Sequence, residues 1–327
     1  PIERTSTVVS CCDPREVAKR ILGCLQKLSI TANFNTNDAS LFAEALDYTT
    51  FYIRLYKNNI NNNMNNKSIL VEIQRADGYG DSFNFIRYVQ TILAAARGEA
   101  FERRRSSLIS YIPPSLSCQV EEEETSYMMH VEELLNKDRS DCVLLGIESL
   151  LLLTDHEKSQ VSLSAARAVL DDNGEHPAIK EFIRKCIYCP HSALSEEEDS
   201  FDYDSRQCEA MHTSAIAVLG NSLQTVLGAE HSKLSRSLFQ SEEWMGDNGM
   251  LDVLLSTLNH AEDRSPHDAY HAARCLHALV GSSPDMKRTL IERGLPSAMK
   301  VSQTVGTQRH SLLAKECDAA LALLAEG

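Results

Sequence analysis

Gly249-Met250-Leu251-Asp252-Val253-Leu254-Leu255 opens a helical unit that continues through Ala272-Ala273-Arg274-Cys275-Leu276 to Leu279. A second unit opens at Gly294-Leu295-Pro296-Ser297-Ala298-Met299 and continues through Asp318-Ala319-Ala320-Leu321 to Leu324. The two glycines are 45 residues apart, and so are Leu279 and Leu324. That interval lies within the period of about 40–47 residues of stacked helical repeats. A unit of this size cannot bury its apolar face alone, so it needs neighbours of the same kind.

Upstream of this pair, strand signals are absent from about Ser126 onwards. Helices are predicted over Met128–Leu135, Asp141–Leu153, Gln160–Val169, Ala178–Tyr188, Glu209–Leu227 and Leu234–Phe239. With a glycine at the head of each copy and an Ala-Ala pair in its last helix, the region resembles the armadillo or HEAT type of α-solenoid. The resemblance covers about 140–324 and implies a surface for recognising protein partners. Trp244, the single tryptophan, precedes the first clear copy and is expected to pack there as a cap, the alternative being a projecting binding anchor.

The first third follows different rules. Asp13-Pro14 is a helix start, an acceptor followed by a ring set for the first turn. Val17, Ile21, Cys24, Leu25 and Leu28 then form one helical face. Alternation follows at Ile30, Ala32 and Phe34, and Leu41–Tyr56 reads as two short strands or one long bent one. The asparagine-rich tract Asn58–Asn66 reads as an expanded hairpin loop before a strand at Ile69, Val71 and Ile73. Gly78 and Gly80 mark a turn, and Asp81 or Ser82 caps a helix with inner face Phe85, Val89, Ile92, Leu93 and Ala96. A helix, three or four antiparallel strands and a helix make an α+β module.

The run Ile69-Leu70-Val71-Glu72-Ile73-Gln74-Arg75, then Gly80-Asp81-Ser82-Phe83 and a helix ending Ile92-Leu93, resembles the closing strand and helix of the kinase-associated domain 1 fold. The resemblance covers about residues 13–97. It implies a helix–sheet–helix module of the kind found at the C-termini of certain protein kinases, where such modules bind acidic phospholipids or dock intramolecularly. The expected organisation is a module at 1–100, a linker at 101–125 containing Pro113-Pro114 and Glu121 to Glu124, and helical repeats at 126–327.

Charge separates the same regions. Residues 1–105 hold 14 Lys/Arg against 11 Asp/Glu, a net +3, and residues 106–327 hold 18 against 35, a net −17. The acidic whole argues against non-specific nucleic-acid binding. Arg75, Arg87, Arg97, Arg103, Arg104 and Arg105 are the candidate contacts to an anionic membrane surface. Ser106 and Ser107 follow the arginines at the spacing of a basophilic kinase site, and phosphate there would reverse the local charge.

Ten cysteines in 327 residues are too sparse for a disulfide scaffold and are expected as reduced thiols; the adjacent Cys11-Cys12 reads as an ordinary terminal pair. With no stretch reading as a leader and none apolar enough to span a bilayer, the expected location is cytoplasmic, peripheral at a membrane in one reading, with the nucleus also open. Pro1 in place of methionine suggests a piece of a longer protein. Cys186, Cys189, Cys208 and His212 have a zinc-like spacing, but Ile179, Phe182, Ile183, Cys186 and Ile187 also share one helical face, which explains Cys186 as a core residue. His260, His267, His271 and His277 are read as surface residues, and no cofactor is expected. No nucleophile elbow, Walker sequence or kinase set is present. The expectation is a non-enzymatic scaffold that binds a basic or extended protein segment. The alternatives are a phospholipid-binding peripheral protein and the regulatory tail of a kinase.

Overall fold

In the computed structural model, residues 5–10, 13–36, 39–58, 68–76, 82–99, 120–137, 139–171, 175–188, 205–229, 238, 241–263 and 265–326 are described. The chain divides into two compact units, Pro1–Pro113 with Gly306–Leu312, and Pro114–Val305 with Leu313–Gly327.

The first unit is built on a five-stranded antiparallel sheet in the order β1-β5-β4-β3-β2. Its strands are β1 (Ser6–Ser10), β2 (Thr31–Asn35), β3 (Ser40–Glu44), β4 (Thr50–Asn58) and β5 (Ser68–Arg75). Helices α1 (Pro14–Leu28) and α2 (Ser82–Arg97) complete the unit. Asp13 caps α1, its carboxylate accepting from the Arg15 amide at 3.1 Å. Val17, Ile21, Cys24 and Leu25 of α1 and Phe85, Val89, Ile92, Leu93 and Ala96 of α2 are buried, as their spacing predicts. They share a core with Phe51, Ile53, Ile69, Val71 and Ile73 from alternate positions of β4 and β5.

One strand exceeds the sequence expectation of three or four. Ser6–Ser10 is short and half polar, and its partner β5 lies some sixty residues downstream, with Val8 opposite Leu70. No local turn announces such a pairing. The asparagine tract between β4 and β5 lies almost wholly outside the described residues, as do Cys11-Cys12, Gly78 and Gly80.

The second unit is helical: α3 (Val120–Leu135), α4 (Ser140–Thr154), α5 (Ser162–Leu170), α6 (Pro177–Tyr188), α7 (Ser205–Ala229), α8 (Glu242–Met245), α9 (Met250–Asn259), α10 (Pro266–Ser282), α11 (Pro284–Glu292), α12 (Leu295–Arg309) and α13 (Ser311–Ala325). Of the predicted helix Leu234–Phe239, only Leu238 is described. The repeat is explicit in α8–α9–α10 and α11–α12–α13, each a short first helix, a second helix headed by glycine, and a third. This is an armadillo-like arrangement. Ser265-Pro266 and Ser283-Pro284 start α10 and α11, each serine accepting from a backbone amide at 3.2 Å. Between the copies, the buried Ser302 hydroxyl donates to the Leu258 carbonyl at 2.7 Å, joining second helix to second helix. Arg293 reaches back to Asp252 at 2.8 Å.

The two repeat-heading glycines serve different needs. At Gly249 an added Cβ would lie 2.8–2.9 Å from the carbonyl oxygens of Trp244, Glu243 and Gly246, so the backbone itself leaves no space. At Gly294 the space is open, but φ is +87°, a conformation that disfavours a side chain. Trp244 is buried in the core beside the first of these turns. Gly294→Ala is expected to cost about 1 kcal/mol of unfolding free energy in urea titration. Gly249→Ala should cost more, because three carbonyls must move; the reverse order would contradict the packing of this turn.

Candidate functional site

Helices α4, α7, α10 and α13 form a ladder, held by polar side chains at its rungs. The last carbonyls of α4 lack partners within their own helix, and α7 supplies them. Asn221 donates to the Leu151 carbonyl at 3.2 Å, and Thr225 donates to the Thr154 carbonyl at 3.3 Å. The Asn221 amide is 7% exposed, and its oxygen accepts from Arg274 of α10 at 2.8 Å. Arg274 also donates to Gln224 at 2.6 Å and lies over the Tyr270 ring at 5.8 Å. At the next rung, His277 of α10 meets Glu316 of α13 at 2.6 Å. At Gly220 a Cβ would stand in ordinary van der Waals contact with the Cys275 sulfur at 3.4 Å, so α7 and α10 pack closely here.

Further along α7 lies a second polar cluster. His212 Nδ1 is 2.9 Å from the Cys186 carbonyl, and Nε2 is 3.8 Å from Asp268. Thr213 donates its hydroxyl to the other Asp268 oxygen. All three side chains are buried. The Thr213 hydroxyl has two acceptors within reach, the Asp268 carboxylate and the Glu209 carbonyl of its own helix. Of the zinc-like quartet, the structure brings His212 to the backbone of Cys186, and Cys189 lies outside the described residues. Among the described residues, no three His, Cys, Asp or Glu side chains gather closely enough to hold a metal ion. Asp268 was invisible as a partner in sequence, because it looks like an ordinary first-turn carboxylate of α10.

The histidine expectation needs correction. His260 is exposed, but His267 is buried at the start of α10, and His277 is half-buried against Glu316. Four thiols among the described residues are buried too, those of Cys24, Cys186, Cys275 and Cys317. Burial pushes the Cys24 thiol up to about 11, with Lys27 opposing, and Cys275 up to about 12, with Arg274 opposing. Cys317 is pushed up to about 12 by burial, reinforced by Glu316 and Asp318.

In the first unit, Arg75 and Arg97 line one cleft of about 560 Å³ between β1, the end of β5 and α2. Arg75 donates to Ser82 at 2.8 Å, and Arg97 approaches the Thr7 hydroxyl at 3.4 Å while pairing with Glu99. Arg87 is exposed on α2 and does not line the cleft. Arg103, Arg104, Arg105, Ser106 and Ser107 lie outside the described residues. Among the described residues, no helix is long and apolar enough to cross a membrane.

No family model matches the chain, and no curated protein matches it. Among solved structures, a designed armadillo repeat protein is similar over 60% of this chain and 99% of its own, at 16% identity and a TM-score of 0.21. The armadillo-like description rests on the helix triplets themselves.

Asn221→Leu should lower stability by about 1–3 kcal/mol, since it strips partners from α4 and from Arg274 together. Ser222→Ala should cost less, because that hydroxyl only returns to the Val218 carbonyl of its own helix. Denaturant titration of the two variants checks the order. Iodoacetamide at pH 8 should label the half-exposed Cys142 in the native protein. Cys24, Cys275 and Cys317 should stay unlabelled until urea unfolds the chain, because the reactive thiolate forms only at much higher pH. Peptide mapping after a brief pulse distinguishes them.

Proposed function

We propose that this chain is a non-enzymatic interaction scaffold. Its helical unit holds an extended, basic segment of a partner protein along the exposed face of α4, and its α+β unit targets or regulates it. The stacked helix triplets support this reading, since successive repeat helices are the means by which solenoids recognise partners. On α4, Leu145 and Leu152 are 53% and 55% exposed, at the spacing of one helical face, with Glu148 between them. Partial burial holds the Glu148 carboxyl above its ordinary range. A lysine or arginine of the partner beside it would favour the ionised form. The net −17 of residues 106–327 would steer such a segment inward.

A second reading has its own observation. Arg75 and Arg97 share a cleft in the unit that resembles a kinase-associated domain 1, which supports binding of anionic phospholipid headgroups there. The same resemblance supports a place as the regulatory tail of a larger kinase. A cytoplasmic location, peripheral at the membrane in the lipid case, fits both readings.

Peptides selected from a random display library against the full chain test the first reading. Leu145→Asp with Leu152→Asp should weaken the selected binders at least tenfold, and Glu148→Gln should weaken basic ones several-fold. Affinity should also fall as salt rises. Undiminished binding by the double variant would remove α4 as the docking surface.

A further inference from the structure

The first unit has a sheet edge that opens beside its charged cleft. β1 is the outermost strand, paired only to β5. The Ile73 amide donates to the Thr5 carbonyl at 2.8 Å, which places Thr5, Thr7 and Val9 in the positions that exchange hydrogen bonds with β5. Alternation then points the backbone N–H and C=O of Ser6, Val8 and Ser10 away from the sheet. Among the described residues, none pairs with that outer edge in the ladder. Ser6 and Val8 are exposed, Val8 to 46%. Along this edge runs the cleft, with Ile86, Val89 and Leu93 of α2 as its apolar wall and Arg75 and Arg97 in its lining.

We propose that this edge and cleft bind an extended acidic peptide segment of a partner protein, which joins the sheet as a sixth strand antiparallel to β1. The inference is independent of the helical ladder. Charge and backbone together select the occupant. Among the described residues no acidic side chain lines the cleft and two guanidinium groups do, so carboxylates near the segment's ends match it. The Arg97–Glu99 pair lies at the surface, where solvent weakens such pairs, so an incoming carboxylate can exchange with Glu99. Five residues of β1 span about 17 Å, enough for backbone hydrogen bonds at Ser6 and Val8. Main-chain bonds then supply affinity, and alternate side chains facing α2 supply selectivity.

The probe is the capped peptide Asp-Thr-Val-Thr-Val-Thr-Asp, whose aspartates and valines face α2 when its threonines stand opposite Ser6 and Val8. Binding to the full chain is measured by fluorescence anisotropy of a labelled copy. Residues directly opposite one another share a face, so the threonine amides are those that reach β1. Methylating the nitrogens of the threonines should abolish binding, and methylating those of the valines should leave it within about threefold. Val8→Pro removes only an outward-facing N–H, a change an edge strand tolerates, and should weaken binding at least tenfold with the unfolding midpoint unchanged. Arg75→Gln with Arg97→Gln should weaken it by a similar factor, and Glu99→Gln should tighten it. Equal binding by the two methylated peptides overturns the added strand, as does undiminished binding by a folded Val8→Pro. Absence of binding at millimolar peptide also overturns it. Sedimentation with anionic vesicles, lost with the arginine variant but untouched by Val8→Pro, in the absence of peptide binding would assign the cleft to lipid instead.

Discussion

Helix α7 is enclosed on every side from Met211 to Leu223, and the helical unit is arranged to satisfy it. A helix in the interior needs apolar neighbours all round, and Met211, Ile216, Val218, Leu219 and Leu223 find them in one continuous core. Its polar residues impose the harder condition, since a buried donor or acceptor without a partner costs about 1–3 kcal/mol. His212 answers to the Cys186 carbonyl, Thr213 to Asp268, Asn221 to α4 and Arg274, and Ser222 to its own helix. Three of these four bonds reach other helices. They fix where α4, α6 and α10 stand, which nonpolar packing alone would leave looser.

Whatever is written in local periodicity could be read from the sequence. The inner faces of α1 and α2 match their predicted residues, and the repeat headed by Gly249 and Gly294 is present as two helix triplets. What could not be read depends on partners distant in the chain. β1 needs β5, Asp268 needs Thr213, and Asn221 needs Leu151 and Arg274, with separations of 53 residues or more for the side-chain pairs. In sequence, Asn221 is one more polar residue in a helix, and His267 in a histidine-rich stretch looks like surface. Burial of such groups is decided by the neighbouring helix, and no window of consecutive residues contains it.

Regional charge proved a coarse guide to the candidate surfaces. The acidic two-thirds suggests an acidic ladder, yet a guanidinium stands at its second rung and the exposed residues of α4 include two leucines beside one glutamate. Net charge governs approach over distances near the Debye length, about 8 Å in physiological salt. Side chains at the contact govern what stays bound. The weakly basic first third likewise says little until the fold is known. Of the three described arginines among the lipid-contact candidates, two share a cleft and Arg87 stands apart.

The two glycines show how one sequence signal can carry two constraints. Both mark the turn from a first to a second helix, so a repeat pattern treats them alike. At Gly249 the chain folds back so tightly that three carbonyl oxygens occupy the place of a side chain. At Gly294 that space is open, and it is the left-handed backbone that disfavours a side chain. A degenerate repeat can therefore keep its heading residue while the geometry beneath it changes. The settings differ as well: Trp244 of the four-residue α8 is buried beside the first turn, where Asn248 takes the left-handed conformation, whereas the nine-residue α11 leads to a second turn where the glycine takes it.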